Sequence, residues 1–322
     1  MKLAITGDVM LGRLVSEHII ENPNISSAYV WGDCLPLLHD ADARLTNLEC
    51  VIAASGEPWN PFTKVFHFRA HPRAVEILKA ANVDYVSLAN NHTLDYGAQA
   101  LEECLDLLDT AAIARSGAGR NETEAQEPAI LEVRNERLAI ISITDNEPSW
   151  EARGSEAGVF YVDYDAAGLG ERCRSKVENA VKKARGRADI LIVSAHVGPN
   201  WGPPSRAIQA LARELIELGC DVYWGHSNHT PQGVEIYRNR PVFYSTGDFI
   251  DDYAVDRFER NDLSFLFVLD WEKTGWNLTL IPTKISHFQV NRAYREESDF
   301  VMDRMIRASH DFGTDIRRQN GT

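Results

Sequence analysis

Seven side chains that could hold metal ions or move protons follow short apolar runs of this 322-residue chain. They are two carboxylates, one amide and four imidazoles, supplied by Asp8, Glu49, Asn91, His92, His196, His226 and His229. Carboxylate oxygens together with imidazole nitrogens suit borderline divalent ions such as Mn, Fe, Co or Zn, whereas an all-oxygen set would favour Mg or Ca. The residue types therefore predict a transition-metal site.

The size of this set indicates more than one ion. A single catalytic zinc needs about three protein ligands and one open position. Six or seven candidates exceed that number, so we predict two divalent metal ions, about 3.5–4 Å apart, that share a carboxylate. Such a pair lowers the pKa of a water between the ions and stabilises the oxygens of the attacking and leaving groups. The chemistry expected from the residues is metal-dependent hydrolysis.

Short strands alternating with amphipathic helices must position these side chains. Apolar, β-branched runs predict strands over residues 3–6, 43–48, 85–89, 138–144, 190–195, 221–224 and 242–245. Helical periodicity is clearest over residues 72–81, 98–108, 169–184 and 205–218. The alternation predicts an α/β fold. Because ligands of open α/β sheets bind beyond the carboxyl ends of the strands, the candidates would meet on one rim.

The end of the chain has a different pattern. Residues 264–270 and 276–285 predict a β-hairpin that turns at Lys273, Thr274 and Gly275, and residues 296–310 predict a charged helix. Residues 116–128 and 146–158 are predicted loops, and neither an internal repeat nor a low-complexity linker divides the sequence. We expect one domain over residues 1–290 and a C-terminal helical extension over residues 291–322 that packs on it.

Composition excludes several classes of partner. Subtracting 47 acidic from 33 basic side chains leaves a formal charge of −14, which disfavours nucleic acid and anionic membrane surfaces as partners. No apolar run has the length of a signal-peptide core or a membrane span, so we expect no membrane insertion and a cytoplasmic location. The five cysteines include no C-x-x-C pair, which indicates reduced, mostly buried thiols. The oligomeric state stays open.

Each candidate also has a structural explanation when it is taken alone. Asp8 and Asn91 could be turn or helix-cap residues, and His196 could be a hydrogen-bonded core histidine. His226 and His229 could be surface loop residues. These explanations would have to hold independently at five strand ends, so the complete set favours a metal site.

Five segments, taken in order, resemble a known family. They read Gly7-Asp-Val-Met-Leu-Gly-Arg13, Asn47-Leu-Glu49, Ser87-Leu-Ala-Asn-Asn-His-Thr-Leu-Asp-Tyr-Gly97, Ser194-Ala-His-Val-Gly198 and Gly225-His-Ser-Asn-His-Thr-Pro-Gln-Gly233. The chain resembles, over about residues 1–255, the CapA family of capsule and poly-γ-glutamate synthesis proteins, of the calcineurin-like metallophosphoesterase superfamily. The resemblance implies a metallophosphoesterase-like β-sandwich flanked by helices, with a dinuclear centre at the carboxyl ends of the strands.

The resemblance also implies roles for single residues. By position, Asp8 is the first ligand, Glu49 the bridging carboxylate, Asn91 the amide ligand, and His196, His226 and His229 the histidine ligands. His92 matches the histidine that stabilises the transition state or protonates the leaving group, and Asp95 is spaced to orient it. Met10 stands where phosphoesterases commonly have a histidine, so one metal site should have a thinner ligand shell.

Three functions remain open at this stage. The first is attack of an activated water on an amide, either a γ-glutamyl or another peptide-like bond. The second is phosphoester hydrolysis, with Arg13 as a phosphate clamp, and the third is a non-catalytic, metal-bearing role in polymer synthesis. Candidate substrate contacts, for a small-molecule or peptide-like substrate, are Arg13, Trp201, His67 and Arg69. An acidic substrate would need a local basic patch, for which the candidates are Arg13, Lys64, Arg69 and Arg206.

Overall fold

The computed structural model describes residues 1–22, 24–60, 64–272 and 274–319. In this part of the chain the strands are β1 Lys2–Val9, β2 Ala43–Leu48, β3 Val51–Ile52, β4 Arg69–Ala70, β5 Tyr85–Ser87, β6 Ala114–Ser116, β7 Ala118–Gly119, β8 Ala129–Val133, β9 Glu136–Thr144, β10 Gly158–Val159, β11 Tyr164–Asp165, β12 Gly168–Leu169, β13 Ile190–His196, β14 Val222–His226, β15 Val234–Tyr237, β16 Arg240–Phe243, β17 Asp248–Ile250, β18 Leu263–Glu272, β19 Gly275–Ser286 and β20 Gln289–Arg292. The helices are α1 Arg13–Glu21, α2 Leu35–His39, α3 Ala74–Ala80, α4 Gly97–Thr110, α5 Glu122–Ala125, α6 Glu171–Arg185, α7 Arg206–Glu217 and α8 Arg295–His310, with 3₁₀ turns at Tyr29–Cys34 and Pro148–Trp150.

Two large mixed sheets organise these elements. The first sheet has the order β20-β19-β18-β1-β2-β5-β6, with β17 pairing β1 near its carboxyl end. The second sheet has the order β15-β16-β14-β13-β9-β8. Strands β1, β2, β5 and β6 are mutually parallel, as are β9, β13, β14 and β16, while antiparallel strands extend both sheets. The predicted α/β class is confirmed; the metallophosphoesterase type of sandwich stays a prediction.

The two sheets pack against each other through one apolar cluster. Alternation along β1 places Leu3 and Ile5 in this cluster and Ala4 in the cluster on the opposite face. From the second sheet, Ile192 and Trp224 enter the same shared cluster, fully buried. Each such side chain contributes roughly 1.5–3 kcal/mol when it leaves water, so the contact between the sheets is a main source of stability.

Helices cover the outer faces of the sheets. Apolar faces of α1, α3 and α4 enter the cluster behind the first sheet, and those of α6 and α7 enter the cluster behind the second. All five cysteines are free and buried, as the sequence predicted. Cys34, Cys50 and Cys104 belong to the cluster behind the first sheet, whereas Cys173 and Cys220 belong to the cluster behind the second.

The predicted elements agree with the structure to within a few residues. The predicted helix over residues 205–218 is α7, and Ser205 caps it by accepting a hydrogen bond from Ile208 N. The predicted loops are partly wrong, because they contain β7, α5 and a 3₁₀ turn. The hairpin forms from β18 and β19, although Lys273 of its predicted turn lies outside the described residues, as do residues 320–322 of the predicted extension.

The C-terminal helix α8 shares a core with the sheets. Val301, Met302 and Met305 of α8 are buried in the cluster between them. Strand β20 spans residue 290, where we placed the end of the main domain. Across the described ranges, every helix is too short or too polar to span a bilayer.

Candidate metal centre

Two rows of polar side chains lie across neighbouring strands. In the first sheet, Asp8 of β1 is in register with Asn47 of β2 on one side and Asp248 of β17 on the other. In the second sheet, His196 of β13 is in register with His226 of β14. We call these the acidic row and the histidine row. We predicted that Asp8 and the two histidines follow their strands. In the structure each lies inside its strand, within the last two residues.

The two rows face each other where the sheets meet. Asp8 Oδ1 lies 3.8 Å from His226 Nδ1, and Asn47 Nδ2 lies 3.4 Å from His196 Nδ1. Asn47 Nδ2 also donates to Asp8 Oδ1 at 2.8 Å. All four side chains are buried. The carboxylate and imidazole groups predicted at separate strand ends are therefore brought within a few ångströms of one another.

Asp8 belongs to two candidate ligand groups at once. One group is Asp8, His196 and His226, and the other is Asp8, His229 and Asp248; within each group, ligand atoms lie within 4.8 Å of one another. Three predicted histidines are thus divided between two groups that share one carboxylate. The resemblance gave the bridging position to Glu49, whereas the carboxylate common to both groups is Asp8.

Burial dominates the electrostatics of the acidic side chains. It raises the pKa of Asp8 to about 7, against hydrogen bonds from Asn47 and the Ser227 N–H that favour the charged form. Burial, followed by repulsion from Asp8, raises the pKa of Glu49 and of Asp248 well above the usual range. Burial and then Asp248 do the same to Asp251.

The histidine row is held in its uncharged form. Burial lowers the pKa of His226 to about 3, and burial followed by the neighbouring His226 lowers that of His196 well below its ordinary value. The Nδ1 atoms of the two rings are 2.8 Å apart, and His226 Nε2 lies 2.6 Å from Ser194 Oγ. Uncharged imidazoles are suited to bind a metal ion, and the Ser194 hydroxyl fixes the orientation of the His226 ring.

Glu49 lies at the edge of the centre. Its Oε1 is 3.9 Å from His196 Nε2, and its Oε2 accepts a hydrogen bond from Tyr253 Oη at 2.9 Å. The Tyr253 ring is 5.1 Å from the His229 ring in an edge contact. The sequence did not point to Tyr253, which follows the short strand β17.

Asn91 and His92 place an amide oxygen and a proton carrier side by side. Asn91 Oδ1 is buried and has no hydrogen-bond partner in the described ranges, while Asn91 Nδ2 is 3.1 Å from His92 Nε2. His92 Nδ1 is 2.6 Å from Asp95 Oδ2, so the predicted contact forms, within the turn that precedes α4 and not in a helix. Burial, only partly offset by Asp95, lowers the pKa of His92 to about 4. In a neutral His92 whose Nδ1–H is donated to Asp95, Nε2 is the unprotonated nitrogen and faces the Asn91 amide.

Phe68 and Lys64 support His92 from two further directions. The Phe68 ring stacks on His92 with centroids 3.7 Å apart, and the Phe68 N–H donates to Asp95. Lys64 Nζ, nearly buried, lies 3.4 Å from Asp95 Oδ1 and donates to the Asn91 carbonyl at 2.5 Å. We expected Lys64 only as part of a basic patch. It instead contacts the Asn91 carbonyl and the Asp95 carboxylate, which hold Asn91 and His92 in place.

The four substrate-binding candidates separate into two pairs. The Arg13 guanidinium lies 5.3 Å above the Phe68 ring, and the exposed Trp201 ring lies 5.4 Å from His229. His67 Nε2 is instead 2.8 Å from the Trp59 carbonyl. Arg69 covers the Tyr96 ring and donates to the Ser55 and Gly56 carbonyls. The structure thus brings Arg13 and Trp201 to the centre, whereas His67 and Arg69 meet around Tyr96. Arg206, the fourth candidate for a basic patch, is the first residue of α7.

Met10 faces the core behind the first sheet. Its side chain is fully buried there, and its sulfur accepts a hydrogen bond from the Gly12 N–H at 3.1 Å. A methionine in this orientation supplies no nitrogen or oxygen ligand where phosphoesterases commonly have histidine. The thinner ligand shell stays a prediction.

Two glycines allow β1 and β17 to approach closely at the centre. The Asp8 N–H donates to the Gly247 carbonyl at 2.9 Å, and a Cβ on Gly7 would lie 1.9 Å from that same oxygen. Gly247 also has a positive φ of 66°, which glycine adopts without strain. Any side chain at position 7 would push apart the strands that carry Asp8 and Asp248.

Sequence reasoning missed Asn47 and Asp248. Asn47 lies two residues before Glu49, and strand alternation would have placed both side chains on one face. Gly247-Asp248 repeats the Gly-Asp pair of residues 7–8, one residue beyond the predicted strand over residues 242–245. Both signals are local, but the pairing of β17 with β1 is not, because some 240 residues separate the partners.

Comparison with known proteins gives a consistent result. The profile of the family described as bacterial capsule synthesis protein PGA_cap matches residues 2–253. A probable polyglutamine synthesis accessory protein of Mycobacterium tuberculosis is 33% identical over 297 residues, which are 88% of this chain and 77% of that protein.

Two relatives with CapA in their names are more distant. The capsule biosynthesis protein CapA of Bacillus anthracis is 27% identical over 260 residues, covering 80% of this chain and 61% of that protein. The PGA biosynthesis protein CapA of Bacillus subtilis is 25% identical over 260 residues, covering 80% and 65%. The chain therefore spans less than two thirds of the length of either CapA protein.

Proposed function

The chain belongs to the family of bacterial capsule synthesis proteins, and from that premise we propose that it is a metal-dependent hydrolase of γ-glutamyl or similar amide bonds. The observation that carries the proposal is the meeting of two ligand groups at Asp8. Asp8, His196 and His226 would hold one ion, and Asp8 and His229 would contribute to the second. Glu49 and Asn91 border the same space.

The charges of the described side chains fit two divalent ions. Asp8, Glu49, Asp248 and Asp251 are four buried carboxylates. In the described ranges Asp8, Glu49 and Asp248 form ion pairs with histidines alone, and Asp251 forms none. Buried carboxylates without cations are costly, and two dications would balance four negative charges. Asn91 Oδ1, which accepts no hydrogen bond from the residues that the structure describes, is a further oxygen available to an ion.

Two divalent ions held here would supply an activated water and polarise the carbonyl under attack. The protein's own residues would do the rest. His92 Nε2 would exchange a proton with the reacting groups, since Nδ1 is engaged by Asp95. Phe68 and Lys64 would fix this pair. Arg13 lies partly exposed above Phe68, with its Nε 3.3 Å from Asp252 Oδ2, and would bind an acidic group of the substrate through its remaining N–H groups.

An amide is favoured over a phosphoester by two observations. Met10 is turned into the core and leaves unfilled a ligand position common in phosphoesterases. The relatives are named for the synthesis of capsule, PGA and polyglutamine, and polyglutamate and polyglutamine are polyamides. A metal-loaded protein acting near such a polymer would most simply cut or transfer its amide links.

Parallel assays would test this proposal. Protein loaded with Mn, Fe, Co or Zn would be given γ-glutamyl peptides, aryl phosphates and phosphodiesters, and product amine or phosphate would be measured. We expect metal-dependent release of amine from γ-glutamyl peptides. His92→Ala protein with the same metal content is the control, because it would retain any activity that comes from contaminating enzymes.

The assays separate the three functions. Turnover of phosphoesters alone would replace the proposal by the phosphoesterase alternative. Metal binding without turnover of any of the three classes would favour a non-catalytic role, in keeping with the word accessory in the name of the mycobacterial relative.

A further inference from the structure

The second ligand group contains a carboxylate that the family motifs do not explain. Asp248 is fully buried at the start of β17, in register with Asp8. Its Oδ1 is 2.9 Å from His229 Nδ1. Its Oδ2 is also buried but has no hydrogen-bond partner in the described part of the chain. Burial and repulsion from Asp8 raise the pKa of Asp248, and side-chain interactions with Asp251 and Asn261 oppose that shift.

A metal ligand explains the second oxygen. Asp8, His229 and Asp248 offer ligand atoms within 4.8 Å of one another, a separation that one ion could bridge. The close approach of Gly7 to Gly247 brings the backbones of Asp8 and Asp248 together. We infer that Asp248 binds the second ion beside His229. The 2.9 Å between Asp248 Oδ1 and His229 Nδ1 suits two neighbouring ligand atoms of one ion, and the unpaired Oδ2 gives the carboxylate a second oxygen for the same ion. This rests on the proposed function, because it presupposes the metal centre.

The two sites would then differ in ligand type. The first group has two imidazoles and one carboxylate, whereas the second has two carboxylates and one imidazole. Nitrogen-rich sites favour Zn²⁺ and oxygen-rich sites favour harder cations such as Mn²⁺. We therefore expect Zn²⁺ to be retained at the histidine row and Mn²⁺ to bind at the site that Asp248 completes.

Asp248→Asn distinguishes a ligand from an orienting residue. If Asp248 only orients His229, the amide oxygen of Asn can still accept a hydrogen bond from His229 Nδ1. If Asp248 is a ligand, the neutral amide lacks the negative charge that holds the cation. Protein stripped of metal would receive one equivalent of Zn²⁺ and then be titrated with Mn²⁺, with free Mn²⁺ measured by electron paramagnetic resonance and Zn²⁺ by elemental analysis. Asp262→Asn is the matched control, because Asp262 is another buried carboxylate, paired with Arg260.

We expect the unaltered protein and Asp262→Asn to bind one Zn²⁺ and one Mn²⁺. Asp248→Asn should keep Zn²⁺, with Mn²⁺ affinity falling by more than the ~10–100-fold that loss of a merely supporting residue costs. Unchanged Mn²⁺ affinity in Asp248→Asn would overturn the inference and leave the metal centre intact. Equal loss of both metals would also overturn it, since Asp248 would then support the whole site. If the unaltered protein bound neither metal, the proposed function itself would fail.

Discussion

The two sheets bring different chemistry to one site. The first sheet supplies negative charge: Asp8 and Asp248 lie side by side, and Glu49 follows β2. The second supplies His196 and His226, which burial keeps neutral. The carboxylates that repel one another therefore belong to the first sheet, and the neutral imidazoles belong to the second. Neither row contains both the carboxylates and the imidazoles of the candidate centre. The centre therefore forms only when the sheets have packed through their shared apolar cluster.

The largest expected effect follows from breaking the acidic row. Asp8→Asn keeps the side chain's shape but removes the charge shared by both ligand groups, so we expect loss of both metals and of activity. Glu49→Gln should weaken chiefly the ion beside His196. Metal content by elemental analysis, with anomalous scattering maps of both variants, checks this.

The sequence-based hypothesis makes the opposite assignment. If Glu49 bridges the ions, Glu49→Gln would lose both metals together, and Asp8→Asn would weaken mainly one site. Two well-occupied metals at unchanged separation in Glu49→Gln would exclude a bridging role for Glu49.

A second effect tests whether chemistry can be separated from metal binding. His92→Ala should retain most metal but lose about 10²–10⁴-fold in turnover, because His92 is assigned to proton transfer. The turnover number of Asp95→Asn should fall between those of His92→Ala and the unaltered protein, since Asp95 orients His92 without meeting substrate. The measurements are turnover number and metal content of the same samples. Loss of metal equal to that in His226→Ala would show that His92 is a ligand.

The histidine row could be predicted from the sequence, and the acidic row only in part. His196 and His226 end long apolar strands whose parallel pairing follows from the α/β pattern. Asp248 lies in a three-residue strand, so periodicity could not reveal it. Asn47 appeared to be an ordinary strand residue, because its partner Asp8 is specified by register rather than by sequence neighbours. Local patterns identified the strands, but contacts between distant segments decided which polar residues meet.

The smallest effect concerns the stability at low pH of the contact between Glu151 and α6, a helix that covers the second sheet. Burial alone would raise the pKa of Glu151, but hydrogen bonds from Arg172, Arg153 and Lys176 outweigh it and lower that pKa to about 2. Arg172 and Lys176 belong to α6, so Glu151 ties this helix to the segment before β10. A depressed folded-state pKa contributes stability above the unfolded-state pKa, and this stability is lost as the pH falls from about 4.5 towards 2.

Glu151→Gln should therefore lower the free energy of unfolding by about 1–3 kcal/mol at pH 7, with a difference that shrinks below about pH 4.5. Urea unfolding between about pH 2.5 and pH 7 measures it, because most of the change falls below pH 4.5. Glu178→Gln, on the exposed face of α6, is the control and should change little. A difference for Glu151→Gln that did not vary with pH would show that packing, not charge, gives Glu151 its effect.

The distribution of the buried thiols makes the two sides separately observable. Three cysteines lie behind the first sheet and two behind the second. A thiol reacts with an alkylating reagent only when its surroundings open. Mass spectrometry of pulse-labelled protein would thus give one opening rate for each side. A ligand that bridges both sheets should slow the two rates together, whereas one held by a single sheet should slow only its own.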